Sequence, residues 1–545
     1  MKTIRYLPIL VLLALPRSAW SQQAEDPAAR LDKLFARFNS QETPGCAVAV
    51  ARDGKVVLAR AYGMADLEHE APNTPETIFE AGSVSKQFTA GAVNLLALQG
   101  KLALEDDVRK YIPEVPDYGT PVTIRHLMTH TSGLRDWGNV AGISGWGRGL
   151  RVHTHAHVLD IVSRQSALNF PPGHEYSYCN TGFNLLAIVV DRVSGMPFAE
   201  FCKKNIFDPL GMQHTQWRDD FTRIVKNRAV AYQARGERGF AMSMPFENIH
   251  GNGGLLTTVG DLLVWTENLE TGKLGGPAFV EAMHRPGRLS DGRPIAYAAG
   301  LRTGDYRGAP EISHTGSTAG YRAFLGRYPK QRLAVALLCN VGNVDPGNLG
   351  HEIADIFLEI PAGAKPAKIE LNQETLKSRA GLYRNPVSGE AIRLVFAEGS
   401  LRLERGPALT PVSSTEFRAG GERRLSFEPM PGGTRERIRV ARESIEDDLY
   451  EPVEPFAPAA AELAEYAGDY YSSDAETALT AAIEEGRLVL RRRPDSRIAL
   501  TPLYKDAFRS SLGLVRFIRG IGGRVTELSL RQDRVYDMRF RRAVP

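Results

Sequence analysis

Two stretches near the C-terminus of this 545-residue chain repeat each other in order and spacing. Ala380-Gly381-Leu382-Tyr383 returns as Ala467-Gly468-Asp469-Tyr470, and Leu401-Arg402-Leu403 as Leu488-Val489-Leu490, both 87 residues later. Leu409-Thr410-Pro411 and Phe417-Arg418 return as Leu500-Thr501-Pro502 and Phe508-Arg509, 91 residues later. One matched tetrapeptide is chance, whereas four matches in one order mark a duplicated unit. The last third of the chain must therefore fold twice in the same way. Short alternating runs fill both copies and helical periodicity fades, so each copy predicts an antiparallel β barrel of about eight strands. These expected domains span 371–455 and 459–545, and the Pro- and Ala-rich stretch 361–370 reads as a linker before them.

The preceding region has a different texture. Residues 45–61 alternate and are broken by Arg52-Asp53-Gly54, the pattern of a hairpin with an Asp-Gly turn. Phe88, Val93, Leu95, Leu96 and Leu98 lie in a stretch, 83–99, that predicts a largely buried helix stopped at Gly100. Residues 123–130 and 181–193 predict further helices, and 332–339 a buried strand. Strands at both ends with helices between them predict an α/β sandwich over 25–360. The expected fold class is thus α+β, a sandwich followed by two antiparallel barrels.

Residues 1–21 combine Lys2 and Arg5, an apolar run, and Ala19-Trp20-Ser21 as a small-x-small cleavage site. The run is short for a bilayer span, which takes ~20 residues. A secretory signal cleaved near Ser21 is expected, giving a periplasmic or secreted product with no integral membrane span. A net charge of +4 leaves no electrostatic footprint for nucleic acid. Cys46, Cys179, Cys202 and Cys339 match no zinc spacing. Cys46 and Cys339 lie in strand-like apolar runs and read as small buried side chains; their pairing stays open.

Chemistry concentrates in three short motifs. Ser83 and Lys86 stand three apart at the entry to a helix, hence on one face. A desolvated lysine can take the proton that makes a serine hydroxyl a nucleophile. Alone this spacing is weak, but Tyr178-Cys179-Asn180 precedes a second helix and His314-Thr315-Gly316 precedes the last strand. With these in place the sequence resembles the penicillin-recognising serine hydrolases: class C β-lactamases, DD-peptidases, D-aminopeptidases and related esterases. Residues 123–134, with His130-Thr131-Ser132-Gly133-Leu134, 208–212 and 253–258 extend the resemblance over about 31–357. In domain number and in His-x-Gly the chain most resembles the D-aminopeptidases.

The resemblance implies roles by position. Ser83 would form an acyl-enzyme, with Lys86 as general base or sharing the proton with Tyr178. Asn180 would orient Lys86 and the substrate, and the backbone N–H groups of Ser83 and Ser317, beside Gly316, would form the oxyanion hole. His314 stands where penicillin-binding relatives carry lysine, which argues against efficient β-lactam turnover because histidine is mostly neutral at pH 7. Arg322 reads either as a carboxylate or carbonyl contact or as a solvated surface residue. No cofactor is implied. His126 and His130 have a helical zinc spacing but no third ligand, so no metal is expected. His153, His155 and His157 read as a solvated loop.

The last domain is basic, with 15 Lys and Arg against 5 Asp and Glu over 487–545. Solvated outer barrel faces explain this better than a weak polyanion contact does. The expected activity is hydrolysis of small D-amino-acid peptides, amides or esters. The resemblance also implies that a barrel loop restricts the cleft to short substrates with a free amine. Two rivals are a broad carboxylesterase on the same site and a protein that deacylates slowly or only binds.

Overall fold

The Asp53-Gly54 pair sits at positive φ (51° and 74°), the backbone that a two-residue turn between twisted strands requires. This turn joins β1 (Cys46–Arg52) to β2 (Lys55–Tyr62) in a computed structural model describing residues 26–358, 369, 371–420, 423–430, 435–441 and 447–543. The expected signal segment and cleavage site, and all of the expected linker except residue 369, lie outside the described residues. Four more strands, β3 (Arg302–Tyr306), β4 (Ala309–Thr318), β5 (Tyr321–Tyr328) and β6 (Leu333–Cys339), complete a six-stranded antiparallel sheet. Its order is β3-β4-β5-β6-β1-β2, so the first and last strands of the sandwich meet in the middle of the sheet.

Alternation along the central strands separates two faces. Val48, Val50, Val335 and Leu337 pack with the helices α1 (Pro27–Phe35) and, far along the chain, Pro346–Phe357. Ala47, Ala49, Ala334 and Ala336 face the larger helical layer, and their small side chains let it lie close. That layer contains α2 (Lys86–Leu98), α3 (Ile124–Met128), α4 (Trp137–Ser144), α5 (His155–Ser163), α6 (Asn180–Ser194) and α7 (Val259–Thr271). The β1–β6 register sets Cys46 opposite Cys339, and the two form a disulfide. Both side chains are buried, as their apolar strand runs predict, and the pairing that the sequence leaves open is between these two.

The histidine run is corrected. His153 is buried, and its Nε2–H donates to the Trp146 carbonyl. His157 accepts from the Thr154 N–H at 3.0 Å, closing the first turn of α5, so the segment is a helix start and not a solvated loop. His126 does the same for Thr123 at the start of α3, while His130 lies beyond that helix at φ 60°. Among the described residues no group of three His, Cys, Asp or Glu side chains is placed to hold a metal.

The duplicated region forms two nearly closed antiparallel sheets, of eight and nine strands. In each, the first strand (Gly381–Arg384; Gly468–Ser472) pairs with both the second and the last. The repeated Ala-Gly-x-Tyr has a shared cause. Tyr383 donates to the Arg379 carbonyl at 3.0 Å and Tyr470 to the Tyr466 carbonyl at 2.8 Å, each tying its first strand to the turn before it. Many arginines of the second barrel are held in ion pairs: Arg491 and Arg497 with Glu484, Arg519 with Asp506, and Arg539 with Glu527.

Candidate active site

The nucleophile segment is held from both sides by backbone. Phe79–Glu80 pairs with Leu255–Thr257, and the Ala81 N–H donates to the Leu255 carbonyl at 2.8 Å. Residues Gly82–Ser85 then form a single 3₁₀ turn that runs into α2, which brings Ser83 and Lys86 onto one face. Gly82 has φ 51°, and a Cβ there would lie 2.5 Å from the Ser317 nitrogen. A Cβ on Gly316 would lie 2.0 Å from the Ala81 oxygen. Glycine at both positions is what lets β4 lie against the turn, with the Ser317 nitrogen beside Gly82.

Lys86 is fully buried, and its Nζ lies 3.1 Å from Ser83 Oγ, 2.9 Å from Asn180 Oδ1 and 2.7 Å from the Asn252 carbonyl. Burial first, then the Arg534 charge, hold its pKa well below the ordinary 10.5. A neutral amine has two N–H donors and one lone pair. In that form, with the two carbonyl-type oxygens taking the donors, the lone pair can face the Ser83 hydroxyl. Tyr178 hydrogen bonds to Ser83, and burial raises its pKa above the ordinary 10 despite the nearby cations. The phenol therefore stays protonated and can give a proton but not take one.

The second motif is braced by the segment after His130. The Asn180 N–H donates to Asp136 Oδ2 at 2.7 Å, the Trp137 N–H to Thr181 Oγ1 at 2.8 Å, and the Cys179 N–H to His130 Nδ1 at 3.1 Å. Cys179 itself is a buried thiol whose pKa burial pushes up to about 12.

His314 is buried, and both ring nitrogens are engaged. Nδ1–H donates to the Thr315 carbonyl at 2.6 Å and Nε2 accepts from the Tyr297 hydroxyl at 3.0 Å. Burial and the Lys86 charge lower its pKa to about 3, so the ring is neutral throughout the physiological range. Arg322 pairs across strands with Ser317, but its Nη1 donates to the Ala319 and Tyr321 carbonyls of its own turn.

Sequence reasoning missed several groups at this site. Asn252 contributes only a backbone oxygen, and Asp136 caps the first turns of both α4 and α6. Arg534 comes from the second barrel, in the turn between strands Val525–Gln532 and Val535–Arg542, and its guanidinium lies 4.9 Å from the Tyr178 ring centre. The only sequence signal for it was the hairpin itself. Which hairpin reaches the cleft depends on how the barrel docks.

The beta-lactamase family profile matches residues 31–356. The D-aminopeptidase of Brucella canis is 28% identical over 375 residues, 68% of this chain and 70% of that protein. The octameric penicillin-binding protein homologue from Pyrococcus abyssi superimposes with a TM-score of 0.56 at 25% identity, covering 78% of this chain and 99% of that one. SurE, in its structure with D-Leu, gives a TM-score of 0.50 at 20% identity over 95% of this chain and 98% of its own. That last likeness is one of fold, and it extends over both barrels. A profile match across the whole sandwich, with the Ser83, Tyr178 and His314 motifs inside it, makes this chain a member of the beta-lactamase family and a serine hydrolase.

Proposed function

We propose that the protein hydrolyses small D-amino-acid peptides, amides or esters through an acyl-enzyme on Ser83. The observation that carries this reading is the buried Lys86, whose Nζ lies within hydrogen-bond reach of Ser83 Oγ, Asn180 Oδ1 and the Asn252 carbonyl. Lys86 takes the Ser83 proton as Oγ attacks the substrate carbonyl. The Ser83 and Ser317 N–H groups hold the oxyanion, with the Ser317 nitrogen beside Gly82. Tyr178 gives its proton to the leaving amine or alcohol and is reprotonated by the Lys86 ammonium after the leaving group departs. A water then adds to the acyl ester with its proton passing to Lys86, and Lys86 returns that proton to Ser83 Oγ as the ester C–O bond breaks and the acid leaves. Asn180 fixes Lys86 and presents its amide to the substrate, while His314 supports the floor of the cleft from β4.

The D-amino-acid class is supported by likeness to D-aminopeptidases. The working parts are a catalytic unit at 25–360, a linker at 361–370, and barrels at 371–455 and 459–545. We place the mature protein outside the cytoplasm after cleavage near Ser21. The Cys46–Cys339 bond supports that placement, because disulfides persist in oxidising compartments.

The test compares the mature protein with Ser83→Ala on a D-alanine amide, its L-enantiomer and a short acyl ester. D-selective amide turnover that is lost in the variant is the expected result. Ester turnover alone, lost in the variant, would move the activity to an esterase on the same site. Equal rates for both proteins would remove Ser83 as nucleophile.

A further inference from the structure

Around the reacting groups the structure arranges cations and almost no free anion. The charges that act on Lys86 are those of Arg534, Arg148 and Asp136, and Arg534 and Asp136 act on Tyr178 as well. Arg302 contributes a further positive charge at His314. Asp136, the one carboxylate in this set, is only 3% exposed at its side chain, and Asn180 N–H and Gly138 N–H already occupy its two oxygens. Arg148 is already held by Glu247, so Arg534 is the charge of this set left to meet a substrate, and it repels an ammonium and attracts a carboxylate.

Arg534 is built to meet that carboxylate. Its backbone carbonyl accepts from the Asp136 N–H at 3.2 Å and from Asn169 Nδ2 at 3.0 Å, and Asn169 Oδ1 accepts from the Tyr536 N–H at 2.9 Å. Gln532, at the other end of the turn, accepts from Asn139 at 2.7 Å. The turn is therefore fixed by its backbone and its neighbours, which leaves the side chain free for another use. The guanidinium lies against the Tyr178 ring with its side chain 36% exposed, and its ion pair with Asp136 is long, at 3.8 Å. A guanidinium has five N–H donors in a fork that fits a carboxylate, and a fixed one loses little freedom on binding. Arg148 is taken up by Glu247, and the two residues of the third motif's strands are unsuited. His314 is neutral with both nitrogens engaged, and Arg322 is turned onto carbonyls of its own turn.

We propose that Arg534 is the carboxylate-binding residue of this active site, so that the substrate is a short acyl compound carrying a free carboxylate rather than one held by its ammonium. The proposal rests on Ser83 being the nucleophile. It also replaces the free-amine expectation, because the barrel loop that reaches the cleft carries a cation.

The test uses the full mature chain and two matched pairs of substrates. D-Alanyl-glycine against D-alanyl-glycinamide places the carboxylate on the leaving side. N-succinyl-D-alaninamide against N-acetyl-D-alaninamide places it on the acyl side. In one pair the wild type should favour the carboxylate member by about tenfold or more in kcat/KM, as a charge-assisted hydrogen bond implies. That ratio should collapse in Arg534→Gln and return in part in Arg534→Lys, and the responding pair tells which side of the scissile bond faces the barrel. Simple loss of packing on Tyr178 would slow both members together and leave the ratio unchanged, which would overturn the proposal. So would failure of the wild type to turn over either carboxylate member. Ser83→Ala is run alongside. If it is silent while the Arg534→Gln ratio is unchanged, only the carboxylate assignment falls. If it stays active, the Ser83 reading falls and the proposal with it.

Discussion

Arg135, in the segment that braces the second motif, and Asp474, on the second barrel, form a 2.6 Å ion pair with side chains only 4% and 10% exposed. Arg135 also donates to the Asp537 carbonyl at 2.9 Å, and Asp474 accepts from the Ser166 hydroxyl at 2.9 Å. This cluster clamps the barrel beside the hairpin that delivers Arg534. Asp474→Ala leaves a buried guanidinium without its counter-charge, a change that costs about 3–5 kcal/mol. The expected outcome is a lower urea midpoint together with a loss of turnover. The double variant Arg135→Met with Asp474→Leu should recover most of the stability, since a buried pair replaced by apolar groups is often neutral.

The pH profile should carry Lys86's signature. Catalysis needs the neutral amine, so kcat/KM rises with pH as Lys86 loses its proton, with an acid limb well below 10.5 because the folded site depresses that pKa. Removing a depressing cation raises the pKa. Arg534→Gln should therefore move the acid limb to higher pH, and Arg148→Gln should move it the same way by less, as the weaker contributor. A limb unmoved in Arg534→Gln would contradict Lys86 as the base.

What the sequence made legible was local or repeated. Ser83 and Lys86 are three apart on one helix face, and the duplicated tyrosines each bond a carbonyl four residues back. The Cys46–Cys339 bond was hidden because it depends on β6 lying beside β1 across 293 residues, and strand order is not a local property. Arg534 was hidden for a similar reason: a turn arginine gains meaning only when its domain docks. His153, His155 and His157 misled because alternating histidines read as polar, while a histidine at the third position of a helix can accept the N–H that Thr154 leaves open.

Thiol counting tests the disulfide directly. Unfolded, unreduced protein should label two thiols, Cys179 and Cys202, and reduced protein all four cysteines. Closing so long a loop restricts the unfolded chain, so Cys46→Ser with Cys339→Ser should lower stability by about 2–5 kcal/mol in a denaturant titration. Catalysis at low temperature should persist, because both cysteines lie on the sheet face away from the helical layer that carries Lys86.

Acid should destabilise the fold beginning near neutrality. Burial lowers the pKa of His314 to about 3 and of His284 to about 4, and holds His130 and His250 well below 6.5. As pH falls through 6.5 the unfolded chain takes up protons at these positions while the folded chain does not. Their contribution is intact above 6.5 and is lost progressively toward pH 3–4. Each such proton adds about 1.4 kcal/mol per pH unit to the slope. Urea midpoints from pH 7.5 downward measure it, and His284→Gln, outside the active site, should flatten the slope by one proton's share.

Gly316 offers the sharpest test of the oxyanion site. A Cβ at this position would lie 2.0 Å from the Ala81 carbonyl oxygen, a backbone atom that no rotamer change can move aside. Gly316→Ala must therefore push β4 away from the turn that holds Ser83 and carry the Ser317 N–H with it. Loss of one such donor costs about 10²–10³ in kcat. The loss should fall on kcat more than on KM, because the donor acts on charge that develops only in the transition state. Gly304→Ala, on the neighbouring β3, is the matched control, since its new Cβ would meet nothing within 4 Å and activity should be retained. A Gly316→Ala enzyme that stays folded with wild-type kcat would show that the Ser317 N–H does not hold the oxyanion.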